Sequence, residues 1–255
     1  MSAKCPECGC VHTLDPMAVT NEIDCGYREP RIVRDSVSRI ATIAGRVSMI
    51  EHWNDYQERT RATAFYPGRG TKLGLLYATL GFVGKSGELA EHGKKCLRDD
   101  GGILTPARRD KVVQELGDVL WYCAAIARET TLTLESARIT GVKYYPENRR
   151  NYPGHGTSVG FGYVCVRMAI EIGKLSAFSL HVMPYEILDG EHWTDVGQGR
   201  EIRSCICTAI GRVMWYAELI AHETGFTLEH VMTENIAKLA SRKERGALGG
   251  DGSDR

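Results

Sequence analysis

One phrase occurs twice in this chain: "ELGDVLWYCAAIARETTLTLE" from Glu115 and "AIGRVMWYAELIAHETGFTLE" from Ala209. Upstream, "YPGRGTKLGLLY" from Tyr66 to Tyr77 is matched by "YPGHGTSVGFGY" from Tyr152 to Tyr163, an offset of 86. Gly87-Glu88-Leu89 and Gly173-Lys174-Leu175 keep that offset, whereas Trp121 and Trp215 stand 94 apart. The second copy has therefore gained eight residues, in a loop placed around Pro184 to Gly199. Self-similarity of this kind constrains the fold strongly, because two copies of one unit must bury the same faces. The expected organisation is a tandem duplication, with residues 33–143 as the first repeat and 144–255 as the second.

Each repeat has the same grammar: a turn-rich Y-P-G-x-G-T entry, a helix, a polar loop, and a second helix ending near T-L-E. Leu75, Leu76, Thr79, Leu80, Val83, Gly87 and Ala90 recur at helical spacing. "DDGG" after Arg98 is a helix stop, and Thr105-Pro106 opens the next helix with proline in the first turn. Val112, Val113, Leu116, Val119, Leu120 and Cys123 trace the buried stripe of that helix. Val33 to Tyr66 reads as a further helix upstream. Downstream, "ENIAKLASRKERGALGGDGSDR" extends the last helix into a basic and then glycine-rich tail, while the first copy passes into the proline-punctuated connector "ITGVKYYPENRRNYPG". No period-two alternation stands out. The expected class is all-α, a helical bundle.

Acids and bases balance at 32 each over 255 residues, so no global field favours nucleic acid or an anionic membrane. The start of the chain lacks a basic stretch followed by an apolar one, and about eighteen consecutive apolar residues occur nowhere. A soluble, cytoplasmic protein with no membrane partner is expected. Of nine cysteines, those from Cys96 onward sit in apolar runs or as the pair Cys205 and Cys207, which suits core packing in a reducing compartment. The segment 1–32 offers Cys5, Cys8, Cys10, His12 and Cys25 as zinc ligands around one C-x-x-C turn; a zinc knuckle and a plain leader are both open there, because a second C-x-x-C is missing.

Residues three apart share a helix face, so Glu88 with Glu91 and Glu115 with Asp118 form carboxylate pairs on successive antiparallel helices. If the two faces oppose, four carboxylates converge. Their repulsion is about 4 kcal/mol per pair at ~4 Å and an effective dielectric of ~20. A divalent cation relieves it, and oxygen-only ligands suit Mg2+ or Mn2+. A solvated acidic face is the alternative reading of either pair. The second copy argues against it: Gly211, Trp215 and Tyr216 are kept while Ala209 and Arg212 stand at the acidic positions, so packing does not require acids there.

"GLLYATLGFVGKSGELAEHGKKCLRDDGG", "ELGDVLWY" and "NIAKLASRKERGALGGDGSDR" together resemble the MazG-like all-α nucleoside triphosphate pyrophosphohydrolases, over about Asn54 to Glu135 and again from Tyr152. The resemblance implies a Mg2+ (or Mn2+) site and cleavage of a (d)NTP to the monophosphate and pyrophosphate. Carried onto this chain, it puts Glu88, Glu115 and Asp118 at metal positions, Glu88 and Glu115 among the catalytic groups, and Tyr122 at a base-stacking position. Lys95, Asn235, Lys238, Arg242 and Arg245 match its substrate-binding residues. The first glutamate of the family pattern falls on Lys85; either Glu91 substitutes as fourth ligand, or three acids share the site with an ammonium. The resemblance further implies an intrachain pseudo-dimer of two MazG-like repeats, monomeric or a homodimer of such chains. A degenerate nucleotide-binding or partner-binding module is the competing expectation.

Overall fold

In the computed structural model, residues 2–4, 11–13, 52–142, 152–181 and 198–247 are described. They form an all-α bundle with one minor exception: Ser2–Lys4 and Val11–Thr13 pair as antiparallel three-residue strands. Strands that short contain too few residues for alternation to show in sequence. Seven helices follow: α1 (Trp53–Thr60), α2 (Lys72–Asp99), α3 (Pro106–Glu129), α4 (Leu134–Val142), α5 (Ser158–His181), α6 (Gln198–Thr224) and α7 (Leu228–Glu244).

The punctuation signals act as their chemistry dictates. Gly101 and Gly102 adopt positive φ after α2, and the Gly102 amide returns to the Cys96 carbonyl. Thr105 caps α3 by accepting from the Arg108 amide, with Pro106 as the first helical residue. Other boundaries correct the sequence reading. The upstream helix stops at Thr60, and a 3-10 turn, Arg61–Thr63, replaces the run to Tyr66; its part before residue 52 lies outside the described residues, as do the zinc candidates Cys5, Cys8, Cys10 and Cys25 and the insertion at 184–197.

T-L-E starts a helix of its own, the third after the Y-P-G entry in each half, rather than ending the second. Thr131 in the first half (φ 55) and Gly225 in the second (φ 78) turn the chain. Thr133 then accepts from the Ser136 amide and Thr227 from the His230 amide. The stretch after Glu135 is accordingly helical to Val142, not a connector throughout. The chain must reverse here because the apolar stripes of α3 and α6 already face the bundle.

The long helices α2, α3, α5 and α6 make the four-helix core, α2 against α3 and α5, α6 against α5 and α3. Phe82, Leu89, Leu116, Leu120, Phe161, Met168, Ile172 and Ile210 fill it. The short third helices exchange: α4, from the first half, packs on α6, and α7, from the second, packs on α3. Small residues allow both crossings. A Cβ on Gly117 would stand 2.9 Å from that of Asn235 on α7, and one on Gly211 would stand 2.0 Å from the Ala137 carbonyl of α4.

Matching contacts recur in the two halves. Tyr66 and Tyr77 stack, as do Tyr152 and Tyr163. Trp121 meets Tyr122 edge-on, and Trp215 meets Tyr216 likewise. Among the described residues one helix, at Glu201–Thr224, is long and apolar enough to cross a membrane (mean hydropathy 1.2), but 67% of that window is buried inside the protein.

Candidate functional site

α2 and α3 run side by side with Lys85 and Glu88 facing Glu115 and Asp118. Gly84 and Gly87 carry no side chain on this part of α2, and the long Lys85 arm spans the gap. Its ammonium lies 2.7 Å from Glu88 Oε2, 3.0 Å from Glu115 Oε2 and 3.3 Å from Asp118 Oδ2. The point on which three carboxylates converge is thus taken by a cation of the protein's own. Among the described residues no three acid, histidine or cysteine side chains stand at metal-ligand spacing while that ammonium is in place.

Asp118 is held from a second direction by α7. Lys238 Nζ is 2.5 Å from its Oδ1, and Asn235 Nδ2 donates to the same oxygen at 3.0 Å. Lys238 also donates to the Gln114 carbonyl at 3.3 Å. The buried Tyr56 hydroxyl sits 2.9 Å from Asn235 Oδ1 and 3.3 Å from the Gly117 carbonyl, and so fixes the amide. Asn235 and Lys238 lie in the second half of the chain and the acids in the first. The cluster is therefore assembled across the halves.

Three carboxylates against two ammoniums leave one formal negative charge. The acids differ in surroundings. Burial lifts the Glu115 carboxyl above its ordinary range, with Asp118 and a hydrogen bond to Glu88 acting the same way and Lys85 opposing. For Glu88 burial is outweighed by the Lys85 and Glu115 hydrogen bonds, and its carboxyl is held below the ordinary range. Lys85 stays charged: burial opposes it, but Glu88, Asp118 and Glu115 together hold it above the usual lysine range.

Glu91 does not join this cluster; it pairs with Lys94 at 2.5 Å and Lys95 at 3.5 Å on the outer face of α2. Of the two alternatives, three acids plus an ammonium is the one seen. Lys95 is held there with Glu91. Tyr122 is laid across α2, where a Cβ on Gly81 would reach 2.1 Å from its ring, and its hydroxyl is pushed up to about 12, mainly by burial. One face of that ring is spent on packing. Arg242 stands in the last turn of α7, and Arg245, just after it, donates to Ser241.

Two buried glutamates escaped the sequence reading. Glu129 accepts from the Tyr66 hydroxyl at 2.5 Å and the Gly70 amide at 2.6 Å; Glu223 accepts from the Tyr152 hydroxyl and the Gly156 amide. The glycine turns therefore hold the chain's own carboxylates and not a phosphate. Their signal was the glutamate common to "ARET" and "AHET".

At the counterpart of the acid cluster the charges are inverted. Glu171, 3% exposed, lies 2.8 Å from Lys174 and 3.4 Å from Arg212, with Ala209 in place of Glu115. This half of the bundle is closed by its own ion pairs and has no acid pair.

Comparison with known proteins gives one relative at this level: the Gene 37 protein of Mycobacterium phage L5 is 43% identical over 88 residues, covering 33% of this chain and 77% of that protein. The relative is thus shorter than half of this chain, close to the length of one repeat. No family model matches, and no solved structure matches.

Proposed function

Starting from a chain that belongs to the family of the Gene 37 protein of Mycobacterium phage L5, we propose that it is a Mg2+-dependent nucleotide pyrophosphohydrolase, cleaving a (d)NTP to the (d)NMP and pyrophosphate. The observation that carries this reading is the convergence of Glu88, Glu115 and Asp118 from two helices, completed by Asn235 and Lys238 from the opposite half.

The donor set is of the kind a hard divalent cation takes: three carboxylates, once the Lys85 ammonium no longer stands between them. Glu88, Glu115 and Asp118 would hold Mg2+ or Mn2+, with the Lys85 ammonium as the competitor that must move aside. When bound, the ion supplies neutralisation of phosphate charge and acidification of water. Glu115, which burial holds above the ordinary carboxylate range, would take the proton of the attacking water. Lys238 and the Arg242 and Arg245 end of α7 would offer positive charge to a triphosphate, and Asn235 keeps Asp118 oriented. The duplicated chain acts as a pseudo-dimer with one site, the second repeat contributing support and cations. A reaction on nucleotides places it in the cytoplasm of the host of a phage-type protein.

Lys85 favours a second reading, a nucleotide-binding or partner-binding module in which the ammonium replaces the metal outright. Pyrophosphate release across a panel of dNTPs and NTPs with Mg2+ decides between them. Turnover reduced about 100-fold or more in Glu115→Gln, with nucleotide binding kept, is the expected result. Binding of nucleotide without turnover in the parent protein overturns the enzyme and leaves the module.

A further inference from the structure

The two oxygens of Asp118 have different partners. Oδ1 takes both donors from α7, Lys238 Nζ at 2.5 Å and Asn235 Nδ2 at 3.0 Å, whereas Oδ2 faces the Lys85 ammonium that Glu88 and Glu115 also meet. An ionised carboxylate only accepts hydrogen bonds, so Asn235 must turn its Nδ2 to Asp118 and its Oδ1 the other way, into the core. There Tyr56 supplies the donor: its hydroxyl stands 2.9 Å from Asn235 Oδ1 and 3.3 Å from the Gly117 carbonyl. Tyr56 and Asn235 are both buried, so bulk water is no substitute for either bond. Burial, and then the charge of Asp118, push the Tyr56 hydroxyl above its ordinary range, which keeps its proton in place. A directional chain of hydrogen bonds thus runs from α1 through α7 to the acid on α3.

Packing alone does not call for this chain. In the second half α4 crosses α6 at Gly211 as α7 crosses α3 at Gly117, and Gly141 stands there at the position of Asn235, 94 residues earlier. A Cβ on Gly141 would lie 2.4 Å from the Gly211 carbonyl carbon, so the two helices meet closely with no amide between them. Arg212 stands at the position of Asp118 in that half. Acid and amide are therefore present together in one half and absent together in the other, as expected if the amide serves the acid and not the crossing.

Donors behind a metal-ligating carboxylate fix its orientation, and losing one costs roughly 10- to 100-fold in metal affinity. We propose that Tyr56 is a positioning residue for the acid cluster: through Asn235 it commits Asp118 Oδ1 to α7 and so reserves Oδ2 for a divalent cation. This rests on the metal reading given above, and it adds to that site a residue that is neither an acid nor a cation. α1 thereby serves the site without touching it.

Mn2+ titration of the full chain, followed by loss of the free ion's electron paramagnetic resonance signal, is the test, with thermal melting to establish that each variant is folded. Tyr56→Phe and Asn235→Ala should each weaken Mn2+ binding roughly tenfold or more. The double variant should bind no more weakly than Asn235→Ala alone, because Tyr56 acts only through that amide. Gln57→Ala, which removes from α1 its bonds to the Leu132 carbonyl and the Leu134 amide, should melt lower yet bind Mn2+ as the parent does. The parent chain gives a second measurement that needs no variant: linkage is reciprocal, so saturating Mg2+ should slow exchange of the Tyr56 hydroxyl proton, read by NMR. Equal Mn2+ affinity in parent and Tyr56→Phe, a loss in Gln57→Ala as large as that in Tyr56→Phe, additive losses in the double variant, or hydroxyl exchange unmoved by Mg2+ would each overturn the positioning role while the metal site stands. No Mn2+ binding by the parent overturns the metal reading itself, and the positioning role with it.

Discussion

Lys85→Met keeps the aliphatic stem of residue 85 and removes the charge that three carboxylates share. The ammonium is 26% exposed, and Glu115 and Asp118 are 20% and 13% exposed, so the pairs are intermediate between surface and buried ones. Exposed pairs contribute up to ~1 kcal/mol, and breaking a buried pair by removing one partner costs about 3–5 kcal/mol. For this site the expected loss is about 2–3 kcal/mol in a chelating buffer. In chains of this size 1 kcal/mol moves Tm by roughly 2–4 °C, so the variant should melt about 5–10 °C lower. Mn2+ or Mg2+ should then restore stability selectively, because three carboxylates left beside Lys238 alone attract a divalent ion. Saturation at about 100 times Kd returns ~2.7 kcal/mol. Calorimetric melting of parent and variant, each with chelator and with Mn2+, tests both halves of the argument. Melting of the variant within about 1 °C of the parent in chelator, with Mn2+ moving both equally, would refute it.

Tyr56→Phe leaves Asn235 Oδ1 and the Gly117 carbonyl without their buried donor, and should lower stability by about 1–3 kcal/mol in urea titration. Gly211→Ala drives a Cβ to 2.0 Å from the Ala137 carbonyl and should cost more than ~3 kcal/mol, whereas Gly84→Ala, with nothing within 4 Å, should gain up to ~1 kcal/mol from helix propensity. Burial holds His92 and His230 below the ordinary histidine range. Above pH ~6.5 both are neutral folded or unfolded. Below it the unfolded chain protonates first, so stability falls as pH drops towards the folded values. His230→Phe should flatten that decline, as read from urea midpoints between pH ~7 and ~5.5.

Much of this molecule is determined by local chemistry and is therefore legible in one dimension. The apolar spacing of α2 and α3, the Asp-Asp-Gly-Gly stop and the Thr105-Pro106 start follow from helix period and backbone freedom, which depend only on near neighbours in the chain. The carboxylates at 88, 115 and 118 were visible for the same reason, since i, i+3 spacing alone puts each pair on one face. Thr133 and Thr227 carried cap signals too, but the continuous apolar pattern around them hid the two chain reversals.

What only the tertiary structure decided is which long-range neighbour each charge meets. Sequence left open whether Glu91 completes the cluster or three acids share it with the Lys85 ammonium; the partners that Glu91 meets, Lys94 and Lys95, are on its own helix. The exchange of α4 and α7 between halves, which brings Asn235 and Lys238 to Asp118, depends on close approach at Gly117 and Gly211. Periodicity records the face that a helix buries. The partner on that face is set by a packing equilibrium over the whole bundle, and no local run of residues encodes it.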